Sequence, residues 1–236
     1  MSLPPTRTRS RPIVAIDGPA GAGKSTVARR LADALGFVLV DTGAMYRVVA
    51  LAARRASVPW EEGARVGQLA GQLVNRQALG FERATGGGIR VNLDGEDVSL
   101  AIRTPEIGMG ASQVSAHPEV RAALLELQRQ AGRDGGVVLE GRDIGTVVFP
   151  DADIKFFLTA RPEVRARRRF EELSAKGQTV TFDQTLAETL RRDEQDTGRA
   201  HAPLRQAEDA IAFDSSDAPV DEVVTQMVAR VHALGA

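Results

Sequence analysis

The segment Gly18-Pro19-Ala20-Gly21-Ala22-Gly23-Lys24-Ser25 decides the fold of this chain. It fits the pattern G-x-x-x-x-G-K-[ST] at every fixed position, which is the spacing of a phosphate-binding loop. A β-branched run at 13–16 precedes it and ends at Asp17, and apolar residues at helical spacing follow it until Gly36. A strand before such a loop and a helix after it turn backbone N–H groups toward a bound anion. The sequence therefore predicts an α/β core that binds a nucleotide.

Each part of this loop has a chemical role in binding ATP with Mg²⁺. Glycines let the backbone wrap closely around phosphate oxygens, and the helix that follows presents its positive end. The ammonium group of Lys24 can reach the β- and γ-phosphates, and the hydroxyl of Ser25 can hold Mg²⁺. A ligand-free turn of the same composition is the alternative, but motif and context both favour the phosphate site. The expected ATP-binding residues are Gly18, Pro19, Ala20, Gly21, Ala22, Gly23, Lys24, Ser25 and Thr26.

The loop alone leaves three classes of protein open: a kinase, a GTPase and a motor ATPase. A GTPase would normally carry an N-K-x-D segment after a later strand, and the sequence contains none. A motor ATPase usually has a long apolar strand that ends in an acidic residue. Val137-Val138-Leu139-Glu140 is a weak candidate for that strand, and a chain of 236 residues is small for a motor. The kinase class is therefore favoured.

Composition excludes several other classes of function. The chain has 236 residues, a net charge of −1 and no cysteine, which argues against nucleic-acid binding through overall charge, disulfide scaffolds and thiolate metal sites. No apolar run approaches the roughly 18–20 residues that a membrane span needs. Residues 1–11 are polar and lack the apolar core of a secretory signal. We therefore expect a disordered tail at 1–11 and a cytoplasmic location.

Short apolar runs predict the strands of the core. Such runs occur at 13–16, 37–40, 137–139, 154–158 and 210–213. Continuous apolar strands with helices between them indicate a five-stranded parallel sheet with helices on both faces. Helices are expected from Pro118 and Pro162, from the capping-box pair Thr181 and Gln184, and after Pro219. This α/β core is expected to comprise residues 12–41 and 111–236.

The stretch from 42 to 136 is too long for a simple crossover, which needs only about 10–12 residues with its helix. Within it, Ile89, Val91 and Leu93 alternate with polar residues as in a half-exposed strand. Gly86-Gly87-Gly88 and Asp94-Gly95 are turn signals on either side of that strand. We expect a small inserted α+β subdomain, with its antiparallel part at about 63–110 of the region 42–110.

A kinase that acts on a phosphorylated acceptor needs a second cationic pocket, because two phosphorylated substrates repel each other. Three segments carry suitable side chains: Arg47 after the second strand, Arg142 with Asp143 after the third, and Arg192, Asp196 and Arg199 on one predicted helical face. For each segment alone, a solvated face of ion pairs is the alternative. The arginine-rich segment 165–181 is a candidate mobile lid that would exclude water from the transfer.

Seven features together resemble the bacterial cytidylate kinase family. They are GPAGAGKS at 18–25, DTGAMYR at 41–47, LDGEDV at 93–98, IRTPEI at 102–107, ASQVSAHPEVR at 111–121, EGRDIGTVVFPDA at 140–152 and the D-x-x-R spacing of Asp196 and Arg199. Related adenylate and uridylate kinases share the loop but lack the insert and the GRDIGTVVFP string. The resemblance implies a P-loop kinase fold with a core, a lid and a region that binds a nucleoside monophosphate. It also implies phosphorylation of CMP, and of dCMP, by ATP with Mg²⁺.

The resemblance further implies roles for individual residues, with Lys24 and Arg142 catalytic. The residues that would bind CMP are Thr42, Arg47 and Arg142 for its phosphate, Ser112, Arg121, Asp143 and Arg199 for cytosine, and Arg192 and Asp196 for the ribose hydroxyls. Glu140 and Thr42 stand where the family often has Asp and Ser. Gln195 and Thr197 stand where we would expect arginines near the lid, so Arg168 or Arg169 would have to compensate.

Two alternatives to a CMP kinase stay open at this point. One is a kinase of another small acceptor, and the other is a nucleotide-gated binding module that hydrolyses ATP slowly. A module of that kind would release ADP whether or not an acceptor is present. The expected partners are ATP and CMP or dCMP, and we expect a monomer that binds neither nucleic acid nor membrane.

Overall fold

The computed structural model describes residue 9, residues 11–83 and residues 89–235. Its centre is a five-stranded parallel sheet with the strand order β2-β6-β1-β7-β8. The strands of this sheet are β1 (Ile13–Asp17), β2 (Val38–Asp41), β6 (Val137–Gly141), β7 (Ile154–Thr159) and β8 (Ile211–Asp214). The predicted parallel sheet is confirmed, and the predicted strand positions agree with the observed ones to within two residues.

Helices cover both faces of this sheet. They are α1 (Lys24–Leu35), α2 (Thr42–Arg55), α3 (Gly63–Asn75), α4 (Pro105–Val114), α5 (Pro118–Gly132), α6 (Pro162–Ala175), α7 (Phe182–Thr197) and α8 (Val220–His232). Val14 and Ile16 of β1 point to a core that α1 and α8 share, whereas Ile13 and Ala15 point to a second core on the opposite face. Because successive side chains of a strand alternate between faces, a strand buried on both sides must be apolar throughout.

Local sequence signals account for where several helices begin and end. Helix α1 ends at Gly36, which adopts a left-handed conformation with φ 63° and donates its N–H to the carbonyls of the last turn. Pro162 occupies the first turn of α6, where its missing N–H costs nothing. At the start of α7, Thr181 and Gln184 form the predicted capping box, each side chain accepting the other's backbone N–H.

The predicted insert contains a three-stranded antiparallel sheet of β3 (Leu79–Arg83), β4 (Ile89–Leu93) and β5 (Glu96–Asp97). The turn at Asp94-Gly95 joins β4 to β5 as predicted, with both residues at positive φ. The predicted turn at Gly86-Gly87-Gly88 lies outside the described residues. Val91 and Leu93 of this small sheet belong to the same buried cluster as Val48 of α2. The insert therefore shares one core with the helices on that face of the main sheet.

The chain before β1 contacts the main body at two arginines. Arg11 donates to the carbonyl of Gly36 at 2.7 Å and lies 4.6 Å from the centroid of the Phe37 ring. Arg9 donates to Asp151 at 2.6 Å. Residues 1–8 and 10 of the predicted tail fall outside the described part of the chain. Within the described ranges, no helix is both long enough and apolar enough to cross a membrane.

We expect Gly110→Ala to destabilise the protein, because an added Cβ would lie 2.5 Å from Cε2 of Trp60. The indole is held in place by its Nε1, which donates to the carbonyl of Ala50 at 2.9 Å. Over-packing of this kind lowers the free energy of unfolding by about 1–3 kcal/mol. The control is Gly71→Ala on α3, where a Cβ meets nothing within 4 Å; it should raise that free energy by about 0.5–1 kcal/mol. Urea unfolding compares the two variants, and equal losses would contradict the packing argument.

Candidate active site

The phosphate-binding loop connects β1 to α1 at the carboxyl edge of the sheet. A Cβ on Gly18 would lie 1.9 Å from the carbonyl oxygen of Leu158, so no side chain fits at the first position of the loop. Gly23 precedes α1 with φ 89°, a left-handed conformation that suits glycine. Lys24 bends back over the loop, and its Nζ donates to the carbonyl of Pro19 at 2.7 Å. Burial lowers the pKa of Lys24 well below its usual value, and Arg142 lowers it further. The loop thus holds a desolvated cation above its own backbone.

Glu140 at the end of β6 faces the loop, and its Oε2 accepts a hydrogen bond from the hydroxyl of Ser25 at 3.0 Å. Its other oxygen, Oε1, is buried with no hydrogen-bond partner in the part of the chain that is described. Burial raises the pKa of Glu140 to about 7, and the carboxylate of Asp41 adds to the shift. A hydroxyl beside an under-bonded carboxylate is an oxygen donor set that suits Mg²⁺.

The described residues contain no group of three or more acidic or histidine side chains that could hold a metal ion without help. This agrees with the usual way in which Mg²⁺ binds, through one or two protein oxygens together with phosphates and water. Ser25 and Glu140 therefore fit a Mg²⁺ that arrives with a nucleotide. The sequence pointed to Ser25 as the metal-binding residue, but it treated Glu140 only as a weak strand-end candidate.

Three predicted arginines form a second cationic centre beside the loop. Burial lowers the pKa of Arg192 to about 10, with Arg142 as the second cause, and its Nε has no hydrogen-bond partner among the described residues. Burial also lowers the pKa of Arg47, and the charges of Arg103, Arg169 and Arg142 contribute to that shift. Arg47, Arg142 and Arg192 are thus close, partly desolvated cations, and the charge of Arg142 lowers the pKa of the other two. A bound anion would stabilise such a site.

Asp196 holds two of the predicted arginines in place. Its two oxygens accept hydrogen bonds from Arg142, at 2.8 Å, and from Arg199. Burial acts to raise the pKa of Asp196, but Arg142 and Arg199 outweigh it and keep the pKa below its usual value. The prediction that Arg199 shares a helical face with Arg192 was wrong, because α7 ends at Thr197. Arg199 instead reaches Asp196 from the segment beyond the helix.

The remaining predicted residues are buried or half-buried polar side chains on α2, α4 and α5 and just after β6. Arg121 of α5 makes an ion pair with Asp143, and its guanidinium lies 5.7 Å from the centroid of the Tyr46 ring. Burial raises the pKa of Asp143, although Arg121, Arg199 and Arg142 all oppose the shift. Ser112 is half-buried on α4. Thr42 is buried, and its hydroxyl donates to the carbonyl of Glu140 at 2.7 Å, so it would have to change partner to donate to a phosphate.

The arginines of the segment 165–181 differ in their contacts. Arg165 is buried, forms two hydrogen bonds with Asp193 and donates to the carbonyl of Ala20 in the phosphate-binding loop at 3.1 Å. Arg168 donates to the carbonyl of Ser215 at 2.6 Å, on the loop after β8. Arg169 pairs with Glu172 at 2.8 Å and is the one whose charge lowers the pKa of Arg47. Of the two arginines expected to compensate, Arg169 is therefore the one whose charge acts on an acceptor-side arginine.

Comparison with known proteins decides the family. The sequence profile described as "Cytidylate kinase" matches residues 14–233. A cytidylate kinase of Geobacter sulfurreducens is 55% identical over 220 residues, which cover 93% of this chain and 92% of that protein. This chain belongs to the cytidylate kinase family. Another cytidylate kinase, of Pelotomaculum thermopropionicum, is 52% identical and covers 95% of this chain and 97% of that protein.

A solved structure of an uncharacterized protein from Eubacterium ventriosum has a TM-score of 0.52 and 12% identity to this chain. It covers 94% of this chain and 99% of its own, and at that identity the similarity concerns the fold alone. Membership of the cytidylate kinase family makes the chain a kinase that binds nucleotides, which removes the slow ATPase module from the alternatives. Glu140, Asp17, Tyr46 and Arg165 were not predicted as site residues, because their importance depends on contacts between distant parts of the chain.

Glu140→Gln should lower kinase activity and yet raise stability above neutral pH. The carboxyl has a pKa of about 7 when folded against an ordinary value of 4.5, so the folded state binds the proton more tightly. Wild type therefore loses stability as the pH rises from 4.5 through about 7, and the neutral amide avoids that loss. The gain at about pH 8 is on the order of 1–3 kcal/mol. Thermal unfolding near pH 5 and near pH 8 measures it, and a difference that does not widen toward pH 8 would contradict the argument.

Proposed function

We propose that this kinase transfers the γ-phosphoryl group of ATP to CMP, and also to dCMP, to give ADP and the cytidine diphosphate. The observation that carries the proposal is the buried ion pair of Arg121 with Asp143, which adjoins the arginine centre because the charge of Arg142 acts both on Asp143 and on Lys24. The phosphate-binding loop with Lys24 would then bind the triphosphate, and the arginine centre around Arg142 would bind the acceptor phosphate. The pair of Arg121 and Asp143 would bind the base. That sequence of sites matches a nucleoside triphosphate facing a nucleoside monophosphate.

The proposed transfer needs no covalent intermediate on the protein, since the acceptor phosphate attacks the γ-phosphorus in line. Lys24 would follow the charge that develops between the β- and γ-phosphates. Arg142, held by Asp196, would stabilise the transferring group together with Arg47 on the acceptor phosphate. When bound, Mg²⁺ would neutralise charge on the β- and γ-oxygens, and Ser25 and Glu140 are the residues that would hold it.

Base selection would rest on which groups donate and which accept hydrogen bonds. An ionised Asp143 can only accept, so it suits the exocyclic amino group of cytosine and repels O4 of uracil. Arg121 and Arg199 can only donate, so they suit N3 and O2 of cytosine but would face the N3–H of uracil. Arg192 and Asp196 are the groups proposed for the ribose, and Ser112 completes the base site.

Domain roles follow the same proposal. The core of 12–41 and 111–236 would bind ATP, the region 42–110 would bind the acceptor, and 165–181 would act as the lid. Because Arg165 is tied to Asp193 and to the loop carbonyl of Ala20, movement of this lid would begin after that residue. The cytoplasmic location, the monomeric state and the absence of nucleic-acid and membrane partners stay predictions.

A coupled assay of ADP release tests the proposal against a kinase of another acceptor. ADP release should depend on CMP or dCMP and should be weak with UMP, AMP or no acceptor. Lys24→Ala should abolish it, and Arg30→Ala is the control. Arg30 lies on the same helix α1, but its side chain is exposed and pairs with Asp221, away from the phosphate-binding loop. CMP-independent turnover, or equal losses in the two variants, would contradict the proposal.

Asp143→Asn should lower kcat/KM for CMP far more than for UMP. The amide keeps the shape of the side chain but presents a donor as well as an acceptor, so the discrimination against O4 of uracil is lost. Each mismatched buried group costs about 1–3 kcal/mol, so the CMP-to-UMP ratio should fall by roughly 5-fold to 150-fold. Measuring kcat/KM for both nucleotides checks this. An unchanged ratio would mean that Asp143 only orients Arg121.

A further inference from the structure

Asp17 is a buried carboxylate that the proposed reaction does not use. It is the last residue of β1, directly before Gly18 of the phosphate-binding loop, and it is 5% exposed. Its Oδ1 accepts the backbone N–H of Ile144 at 2.8 Å, and its Oδ2 accepts that of Gly145 at 2.7 Å. Both donors belong to the π-helical turn Ile144–Val148 that follows β6. The side chain of Asp17 therefore connects the start of the phosphate-binding loop to a turn on the acceptor side.

The two acceptor-side residues Arg142 and Asp143 come immediately before that turn in the chain. The carbonyl of Asp143 accepts N–H groups of Val147 at 2.9 Å and Val148 at 3.2 Å, so the backbone of Asp143 is part of the turn. A turn start leaves backbone N–H groups without partners inside the turn, and here Asp17 supplies two acceptors for them. The direction in which Arg142 and Asp143 leave the sheet therefore depends on the Asp17 carboxylate.

The surroundings leave little freedom for the turn to settle elsewhere. A Cβ on Gly145 would lie 2.9 Å from Cδ of Lys155 and 3.4 Å from Oδ2 of Asp17. Burial raises the pKa of Asp17 to about 6, while its hydrogen bonds to Gly145 and Ile144 lower it. At neutral pH the group is therefore ionised and accepts both N–H groups, an arrangement that an asparagine cannot reproduce because its NH₂ only donates.

We propose that Asp17 is a positioning residue for the acceptor: it fixes the turn after β6 so that Arg142 and Asp143 point into the acceptor site. Because Asp17 directly precedes the phosphate-binding loop, the same residue fixes the position of the acceptor site relative to the ATP site. The inference rests on the proposed function for the identity of the acceptor. The contact itself, and its effect on the turn, do not depend on which acceptor binds.

The test compares Asp17→Asn with a control at Asp153, which precedes β7 and contacts the first residue of β1. Asp153 accepts the backbone N–H of Ile13 at 2.8 Å, so Asp153→Asn alters the same kind of bond far from the site. In Asp17→Asn we expect KM for CMP to rise about 5- to 150-fold, the usual size of a coupling between a group and a separate binding site, because the turn that positions Arg142 and Asp143 loses one of its two acceptors. The dissociation constant for ATP, measured by calorimetry, should change less than KM for CMP, since burial, Arg142, Glu140 and Asp196 all affect the pKa of Lys24 more than Asp17 does. The CMP-to-UMP ratio of kcat/KM should narrow. Asp153→Asn should leave all three quantities unchanged.

Amide hydrogen exchange separates this inference from the proposed function. The N–H groups of Ile144 and Gly145 should exchange faster in Asp17→Asn than in wild type, whatever the acceptor is. A wild type without CMP kinase activity would overturn the proposed function and leave that exchange result standing. Equal losses of CMP and ATP binding, or an unchanged ratio and exchange rate, would overturn the role of Asp17. If Asp17→Asn does not fold, Gly145→Ala moves the same turn with the carboxylate intact and should give the same CMP-specific effect.

Discussion

The parallel pairing of β1 with β6 is the constraint on which the site depends. Its register sets Asp17 opposite Gly141 and Ile16 opposite Glu140, so the donor loop and the acceptor turn leave the sheet side by side. Parallel strands bring their carboxyl ends to one edge, which is where α/β proteins bind ligands. A shift of one residue in this register would separate Glu140 from Ser25 and would move Arg142 away from Lys24.

Bringing the two binding sites together at this edge of the sheet requires several cationic side chains to be buried, which costs free energy of desolvation. Lys24, Arg47 and Arg192 all have pKa values below their usual ones, mainly because they are buried. Asp196 offsets part of that cost, because its charge acts to raise the pKa of Lys24 and of Arg192 while it also pairs with Arg142 and Arg199. Breaking a buried pair leaves an uncompensated charge, so such pairs hold geometry more than they add stability. An anionic substrate would supply the missing partners, and binding and charge neutralisation would then be the same event.

The sequence predicts local features of this protein well. The phosphate-binding loop, the apolar strands and the capping box at Thr181 each depend on a few neighbouring residues, and the structure contains all of them. The sequence could not predict contacts that close over long distances along the chain. Asp17 meets Ile144, and Arg165 meets Ala20, only because β1, β6 and β7 pair. The position of Arg199 was mistaken for a similar reason, since a spacing of seven residues does not reveal that α7 ends before it.

The two departures from the family pattern on α7 fall on solvent-facing positions. Gln195 and Thr197 are exposed on either side of the buried Asp196, and the Thr197 hydroxyl donates to the carbonyl of Asp193 at 2.7 Å. An arginine at either position would therefore begin in solvent and not in the buried acceptor site. Arg169 on the neighbouring α6 already places its charge close enough to lower the pKa of Arg47. A positive charge on α6 can therefore act on an acceptor-side arginine although α7 carries Gln195 and Thr197 at these two positions.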